Sequence, residues 1–305
     1  MDLTRISANV GFRSRVRPLP ADLIVGFDLD GCFLGASGAP YVVALKGVMA
    51  DELRYETGWN RTRFRLLSQL ERRNARRADR VIVTSRHSRE VAIAAYGLDP
   101  ECTGVVPEGI DVESWSQFAH DPESAGSPPS IVSIARQYRR KNTAVLIRAM
   151  PEVRRAVPGV RLRVVGDGPE LSHLRTLVRS LDLADTVTLV GSVEGIHEVR
   201  AELSRADVFC LPSLQEGFGI VFLEAMAAGL PIVAADCGAV PETAPHGEVS
   251  LLVEPDDVQG LAAALVRLLR DGDLRARLAA AGAERWQQFA WPGVARRFLA
   301  EAELG

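Results

Sequence analysis

The sequence predicts an α/β protein built from two doubly wound parallel-sheet domains, the N-terminal one incomplete. Three observations lead there. Short apolar runs alternate with segments of helical period, a Pro-, Gly- and Ser-bearing stretch at 119–130 interrupts them, and the alternation then restarts through six further units. Strands separated by helices run parallel with both faces covered, because each crossover lays a helix on the sheet. The 305 residues are 47% hydrophobic and 25% charged, enough apolar material for two cores.

The elements follow in order. Residues 1–20 carry arginines but no apolar leader segment. ADLIVGF and PYVVALK read as strands, and DRVIVTS as a third, followed by the helix SREVAIAAYG. Between them, Arg61–Arg80 is a basic helix with Phe64, Leu67 and Leu70 on one face. The linker sets domain boundaries at 1–121 and 122–290. After it, SIVSIA, VRLRVVG, TVTLVG, DVFCLPS, LPIVAAD and VSLLVEP are strands divided by helices, the pattern of a second doubly wound domain. The final segment, 291–305, is an amphipathic helix opened by Pro292, read as packing back toward the N-terminal domain.

Charge and cysteine usage exclude several classes. A net charge of -3 gives no overall attraction to nucleic acid. Cys32, Cys102, Cys210 and Cys237 are scattered, with no CxxC pair, so neither a zinc site nor a disulfide framework is expected. No run approaches the roughly 20 apolar residues of a membrane-spanning helix, and a cytoplasmic protein is expected. His87, His120, His173, His197 and His246 show no paired ligand spacing and are expected at the surface. Asp28-Leu-Asp30 has a D-x-D form but opens a glycine turn after the first strand, and is read as a turn. The chain has two lysines, Lys46 and Lys141, among many arginines.

The chemistry-bearing segment is Glu216-Gly-Phe-Gly-Ile-Val-Phe-Leu-Glu224, which follows Pro212-Ser213 at a strand end and enters the helix ending at Gly229. Ligands of open α/β sheets bind at the carboxyl ends of strands. Gly217 and Gly219 permit close backbone approach, and the free N–H groups of a helix start favour an anion such as a diphosphate. Two carboxylates flanking such an end suit a molecule with both hydroxyls and phosphates. The spacing alone equally suits a tight turn with two solvated glutamates. The second segment is Ile-Ala-Arg136-Gln-Tyr-Arg-Arg-Lys141-Asn142, after the first strand of the second domain. Arg offers a planar fork for phosphate and Lys a mobile point charge. Gly166 and Val190 lie at the ends of the next two strands.

In that order these segments resemble the retaining family 4 glycosyltransferases of the two-domain GT-B type, with their E-x7-E element, their Gly-Arg-x4-Lys-Gly loop and the glycine turns Val165-Gly166-Asp167-Gly168-Pro169 and Val190-Gly191. The resemblance implies transfer of a sugar from a UDP- or GDP-sugar to an acceptor hydroxyl with retention and without a metal or other cofactor. It gives Glu216 the sugar hydroxyls, Glu224 the ribose, and Arg136 and Lys141 the leaving diphosphate. Gly166, Val190, Gly217, Phe218, Gly219 and Ile220 then line the donor pocket. The acceptor is implied to be a glycan, a lipid-linked glycan or a small molecule, and Arg61–Arg80 offers a basic face for an anionic membrane.

The sequence also departs from the pattern. Ala135 and Asn142 stand where the family loop has glycine, and Glu108, in Pro107-Glu108-Gly109-Ile110-Asp111, stands where it has Asn. Lys46-Gly47 replaces the His-Gly pair that faces the acceptor, so Lys46 is a candidate for stabilising the reacting centre or binding an anionic acceptor rather than an equivalent base. On the order of 80 to 100 residues of the usual first domain find no counterpart, and a truncated reading frame or a minimal acceptor domain is expected. Two other readings stay open: a catalytically inactive nucleotide-sugar-binding or partner subunit, and a nucleotide-sugar epimerase.

Overall fold

The computed structural model describes residues 21–33, 38–116 and 128–303. Most of the 119–130 stretch and all of residues 1–20 lie outside that set. Contacts divide the chain into two units: one runs up to Glu108 and resumes at Pro292, the other is Gly109–Trp291. The division therefore falls thirteen residues before the 121/122 boundary expected from linker composition. The reason is packing, since Ile110 and Trp115 are buried in the core of the second unit.

In the first unit, β1 (Ile24–Phe27), β2 (Tyr41–Leu45), β3 (Arg80–Val83) and β4 (Thr103–Val105) form a parallel sheet in the order β1-β2-β3-β4. The sequence reading contained the first three; β4, three residues long, carried too little apolar pattern to be read. Side chains alternate between faces. Val43, Leu45, Val81 and Val83 pack on one side with Ala92 and Tyr96 of the helix Arg86–Tyr96. On the other, Val42 and Ile82 pack with Val294 and Ala302 of the C-terminal helix. Among the described residues up to Glu108, the α-helices are α1 (Met49–Glu52), α2 (Gly58–Ala75) and α3 (Arg86–Tyr96). Ser85 caps α3 by accepting the Ser88 N–H at 3.0 Å, and Gly97 ends it in the left-handed conformation.

The second unit opens with α4 (Val112–Ser116). Its sheet has the order β10-β9-β8-β5-β6-β7, all parallel. The strands are β5 (Ser130–Ile134), β6 (Arg161–Val165), β7 (Val187–Gly191), β8 (Val208–Leu211), β9 (Ile232–Ala235) and β10 (Ser250–Val253). These are the six runs read from the sequence, and β8 and β9 are buried at every position, as strands covered on both faces must be. The connecting helices are α5 (Thr143–Ala156), α6 (Leu171–Ser180), α7 (Gly195–Ser204), α8 (Ile220–Ala227), α9 (Val240–Thr243), α10 (Val258–Arg270) and α11 (Gly272–Arg285). The last helix, α12 (Trp291–Ala302), returns to the first unit. The chain steps outward from β5 through β6 and β7, then crosses back to place β8 on the other side of β5. That reversal opens a crevice at the carboxyl ends of β5 and β8. Among the described residues, no helix is long and apolar enough to cross a membrane.

Candidate functional site

The loops leaving β5 and β8 meet at this crevice. After β5 the chain runs through Ala135–Tyr138 into a 3-10 turn at Arg139–Lys141. Gln137, almost wholly buried, fixes the loop: its Nε2 donates to Ala135 O at 2.7 Å, and its Oε1 accepts from Thr143 Oγ1 at 2.7 Å. Its backbone N–H donates to Asp167 O at 3.0 Å, tying in the turn after β6. Gly166 in that turn has φ +118, and a Cβ there would lie 1.9 Å from Ala135 O. Asn142 adopts φ 56, the left-handed region that glycine would otherwise supply, and its Nδ2 donates to Asp256 Oδ1 at 2.9 Å. The departure from glycine is thus absorbed by a residue that, among those with a Cβ, tolerates this conformation well. Arg136 is exposed, its guanidinium 5.6 Å from the centroid of Tyr138.

Beyond β8, Glu216 is only 6% exposed. Its Oε1 accepts from Ser213 Oγ at 2.8 Å and from Lys141 Nζ at 2.6 Å. The two loops are further joined by Leu214 N–H, which donates to Arg140 O at 2.8 Å. From behind, Ala239 N–H donates to Glu216 O at 3.1 Å and Cys237 Sγ to Leu214 O at 3.0 Å. Gly219 then turns the chain into α8 at φ +85, where a Cβ would press to 2.6 Å from the Phe222 ring. Glu224 lies one turn inside α8. Burial pushes its carboxyl up to about 7, with the Arg200 charge pulling the other way.

The structure therefore brings Arg136, Lys141, Gly166, Glu216, Gly217, Gly219, Ile220 and Glu224 to the loops and the helix start around one crevice, with Ile220 exposed. Phe218 differs from the rest. Its ring is buried against Phe289 at 5.6 Å between centroids, and its carbonyl accepts from Thr243 Oγ1, so the side chain serves the core. Val190 is half-buried on β7 and also packs on that core. Lys46 belongs to the first unit, where Nζ pairs with Glu108 at 3.0 Å and lies 5.4 Å from the Phe27 centroid. The two departures from the family pattern in that unit are bonded to each other. Asp28 Oδ1 accepts the Lys46 N–H at 2.8 Å, a turn-capping use of the D-x-D segment.

Sequence reasoning missed Gln137, Ser213 and Arg200. Ser213 was visible as part of a Pro-Ser strand end, but nothing local marks a glutamine or a helical arginine as a support. His87, expected at the surface, is half-buried and bonded to Asp51 at 3.2 Å; His120 lies outside the described residues. Among the described residues, no group of three or more His, Cys, Asp or Glu side chains is placed to hold a metal ion.

Comparison with known proteins gives the family of the chain. Residues 4–114 match the family described as Glycosyltransferase Family 4, and residues 128–271 match Glycosyl transferases group 1. The chain is 32% identical over 292 residues to a GDP-mannose-dependent alpha-(1-6)-phosphatidylinositol monomannoside mannosyltransferase of Mycobacterium tuberculosis, covering 88% of this chain and 74% of that protein. It is 38% identical over 199 residues to a phosphatidyl-myo-inositol mannosyltransferase of Mycobacterium leprae, covering 64% of this chain and 51% of the other. The fold is similar to that of sucrose-phosphate synthase from Thermosynechococcus elongatus, with a TM-score of 0.80 and 25% identity over 97% of this chain and 77% of that one.

Proposed function

Because this chain belongs to the family 4 glycosyltransferases, we propose that it transfers a mannosyl group from GDP-mannose to a hydroxyl of a lipid-linked glycan, with retention and without a metal. The observation that carries the reading is the Lys141–Glu216 pair at the β5/β8 crevice, a cation and a carboxylate held 2.6 Å apart where a nucleotide sugar presents its diphosphate and its sugar side by side. The donor and acceptor class are supported by what the two mycobacterial relatives are named for.

Each group has a role in this scheme. As the glycosidic bond breaks, negative charge grows on the departing diphosphate, and fixed cations aimed at it lower the barrier. Lys141 and the exposed Arg136 supply those cations, with the N–H groups at the α8 start. Both bonds to Glu216 fall on Oε1, which leaves Oε2 for sugar hydroxyls. Gly217 and the N–H groups of Phe218 and Ile220 approach the sugar and phosphate. Gly166 and Val190 border the nucleoside, and Glu224 accepts the ribose hydroxyls. The departing phosphate takes the acceptor proton, so the scheme needs no separate base. In the first unit Lys46 acts on the acceptor side, its charge partly neutralised by Glu108.

The outward face of α2 extends the reading to a membrane surface. Trp59 is 80% and Leu66 58% exposed, while Arg61, Arg65, Arg72 and Arg73 are exposed on the same helix. The Phe64–Leu67–Leu70 face is the one that turns inward, with Leu67 buried. Two apolar side chains among arginines suit the boundary of an anionic bilayer.

Kinetics with GDP-mannose and a lipid-linked mannosyl acceptor test the proposal, with the product anomer read by NMR and the assay repeated in EDTA. An α-linked product formed at an unchanged rate in chelator is the expected result. Inversion, loss of activity in EDTA, or unchanged turnover in Arg136→Ala and Lys141→Ala each removes the corresponding part.

A further inference from the structure

The helix α2 turns two polar side chains into the first unit, where apolar ones are the rule. Glu71 and Asn74 lie three residues apart on one face, both fully buried. Each reaches a different loop at the carboxyl edge of the sheet. Asn74 Nδ2 donates to Asp28 O at 2.9 Å and to Asp30 O at 3.3 Å, in the loop after β1, while its Oδ1 accepts from the Tyr41 hydroxyl at 2.9 Å. Glu71 Oε2 accepts the Met49 N–H at 2.9 Å, just beyond the loop after β2. It also accepts from the Tyr96 hydroxyl of α3, which in turn accepts the Ala50 N–H at 3.1 Å.

Lys46 is held between these two loops. Its N–H donates to Asp28 Oδ1 at 2.8 Å, and Asp28 stands at φ 54 with its carbonyl held by Asn74. Three residues on, Met49 opens α1, whose N-cap position is Val48, a side chain with no acceptor to give. The N–H groups of that helix start are met from α2 and α3 instead. Both bonds to Glu71 fall on Oε2, and its Oε1 is buried without a hydrogen-bond partner among the described residues. Burying a carboxyl on those terms costs more than burying an apolar side chain of similar size, so what Glu71 contributes is the place at which it holds the chain.

We propose that Glu71 and Asn74 are positioning residues for Lys46: by gripping the segments after β1 and β2 from one helix face, they set where its ammonium stands on the acceptor side. The inference rests on the acceptor role given to Lys46 above.

The full chain offers a direct readout. Lys46 and Lys141 are its only lysines, so reductive methylation with isotope-labelled formaldehyde gives, by NMR, one dimethyl-lysine resonance from each unit beside that of the N-terminal amine. Burial pushes the Glu71 carboxyl up to about 8, so at pH 7 it is mostly the neutral acid, whose shape and carbonyl acceptor glutamine copies. Glu71→Gln therefore leaves both resonances in place. Glu71→Met and Asn74→Leu each move or broaden the Lys46 resonance and leave that of Lys141 unchanged. Tyr96→Phe does the same to a smaller degree and keeps the ring in the core, which guards against a Glu71→Met chain that fails to fold. In kinetics with GDP-mannose and the lipid-linked mannosyl acceptor, Glu71→Met raises acceptor KM by about tenfold, as when a buried donor loses its acceptor, with kcat and GDP affinity nearly unchanged. Placed on Lys46→Met, it adds nothing further to KM. A Lys46 resonance unmoved in Glu71→Met, Asn74→Leu and Tyr96→Phe overturns the inference, as does a KM effect that adds in full to that of Lys46→Met. If the resonance moves but Lys46→Met keeps the wild-type acceptor KM, the positioning stands and the acceptor role of Lys46 falls.

Discussion

The two lysines of this chain each follow a parallel strand and each pair with a glutamate that follows another strand, yet the two pairs differ in depth. In the second unit the side chains of Lys141 and Glu216 are 14% and 8% exposed and Ser213 adds a further bond; in the first, those of Lys46 and Glu108 are 40% and 16% exposed. An exposed ion pair contributes about 0–1 kcal/mol, because water screens it and both side chains lose freedom. A buried pair costs several kcal/mol to desolvate and is recovered only by good geometry. The deep pair is therefore weak as a source of stability and strong as a reserve of oriented charge. The shallow pair can exchange its partner for a ligand at little cost.

The largest expected difference between the pairs is catalytic. Lys141→Met lowers kcat by about 10²–10³-fold, the loss typical of removing one preorganised donor from a developing anion. Lys46→Met, measured in the same assay, raises the acceptor KM and changes kcat by less than about tenfold. Equal effects on kcat would erase the distinction drawn from burial.

A second contrast sharpens the first, and concerns acids rather than pairs. Glu71 of α2 is fully buried in the first unit, accepts the Met49 N–H at 2.9 Å and the Tyr96 hydroxyl, and is pushed by burial from 4.5 up to about 8. Glu224, opposed by Arg200, reaches only about 7. Because the folded state holds the Glu71 proton above the unfolded value, its contribution is full below pH 4.5 and is lost as pH rises through about 8. Glu71→Gln removes that dependence. Its melting temperature is expected to stay flatter than the wild type's between pH 5 and pH 8, the difference corresponding to a few kcal/mol at the upper end. Parallel curves would place the ionisation outside this window.

The backbone of the deep site is the next point of attack. Gly219→Ala puts a Cβ against the Phe222 ring at a φ that L residues rarely adopt, and about 1–2 kcal/mol of strain is expected. Because the strain falls where α8 begins, nucleotide affinity measured by calorimetry drops along with the melting temperature. A loss of stability with unchanged affinity would separate the turn from the site.

Much of this was legible from sequence because the signals are local. The strands β5 to β10 announce themselves as apolar runs between turn residues, and Glu216, Gly219 and Glu224 sit on one continuous segment. Pairings across the fold were not legible. Lys141 reaches Glu216 over 75 residues, and Ser114 reaches Arg200 over 86, distances at which no spacing rule operates. The Phe218 ring shows the same limit: its residue sits in the motif beside the crevice, but the ring packs on Phe289 from a distant turn. The unit boundary likewise follows the burial of Ile110 and Trp115 rather than the composition of the linker.

The smallest effect is the one that decides whether the shallow pair is structural at all. Glu108 stands just after β4 and Lys46 just after β2, so their bond joins the ends of two strands that are not neighbours in the sheet. If it braces the sheet, a double-mutant cycle with Lys46→Met and Glu108→Gln in thermal unfolding gives a coupling that survives high salt. If it is a surface pair resting on Phe27, the coupling is below about 1 kcal/mol and fades in molar salt, where charges are screened within about 3 Å. The side-chain exposure of Lys46 favours the second outcome. In that case the same cycle run on acceptor KM is expected to show the larger coupling.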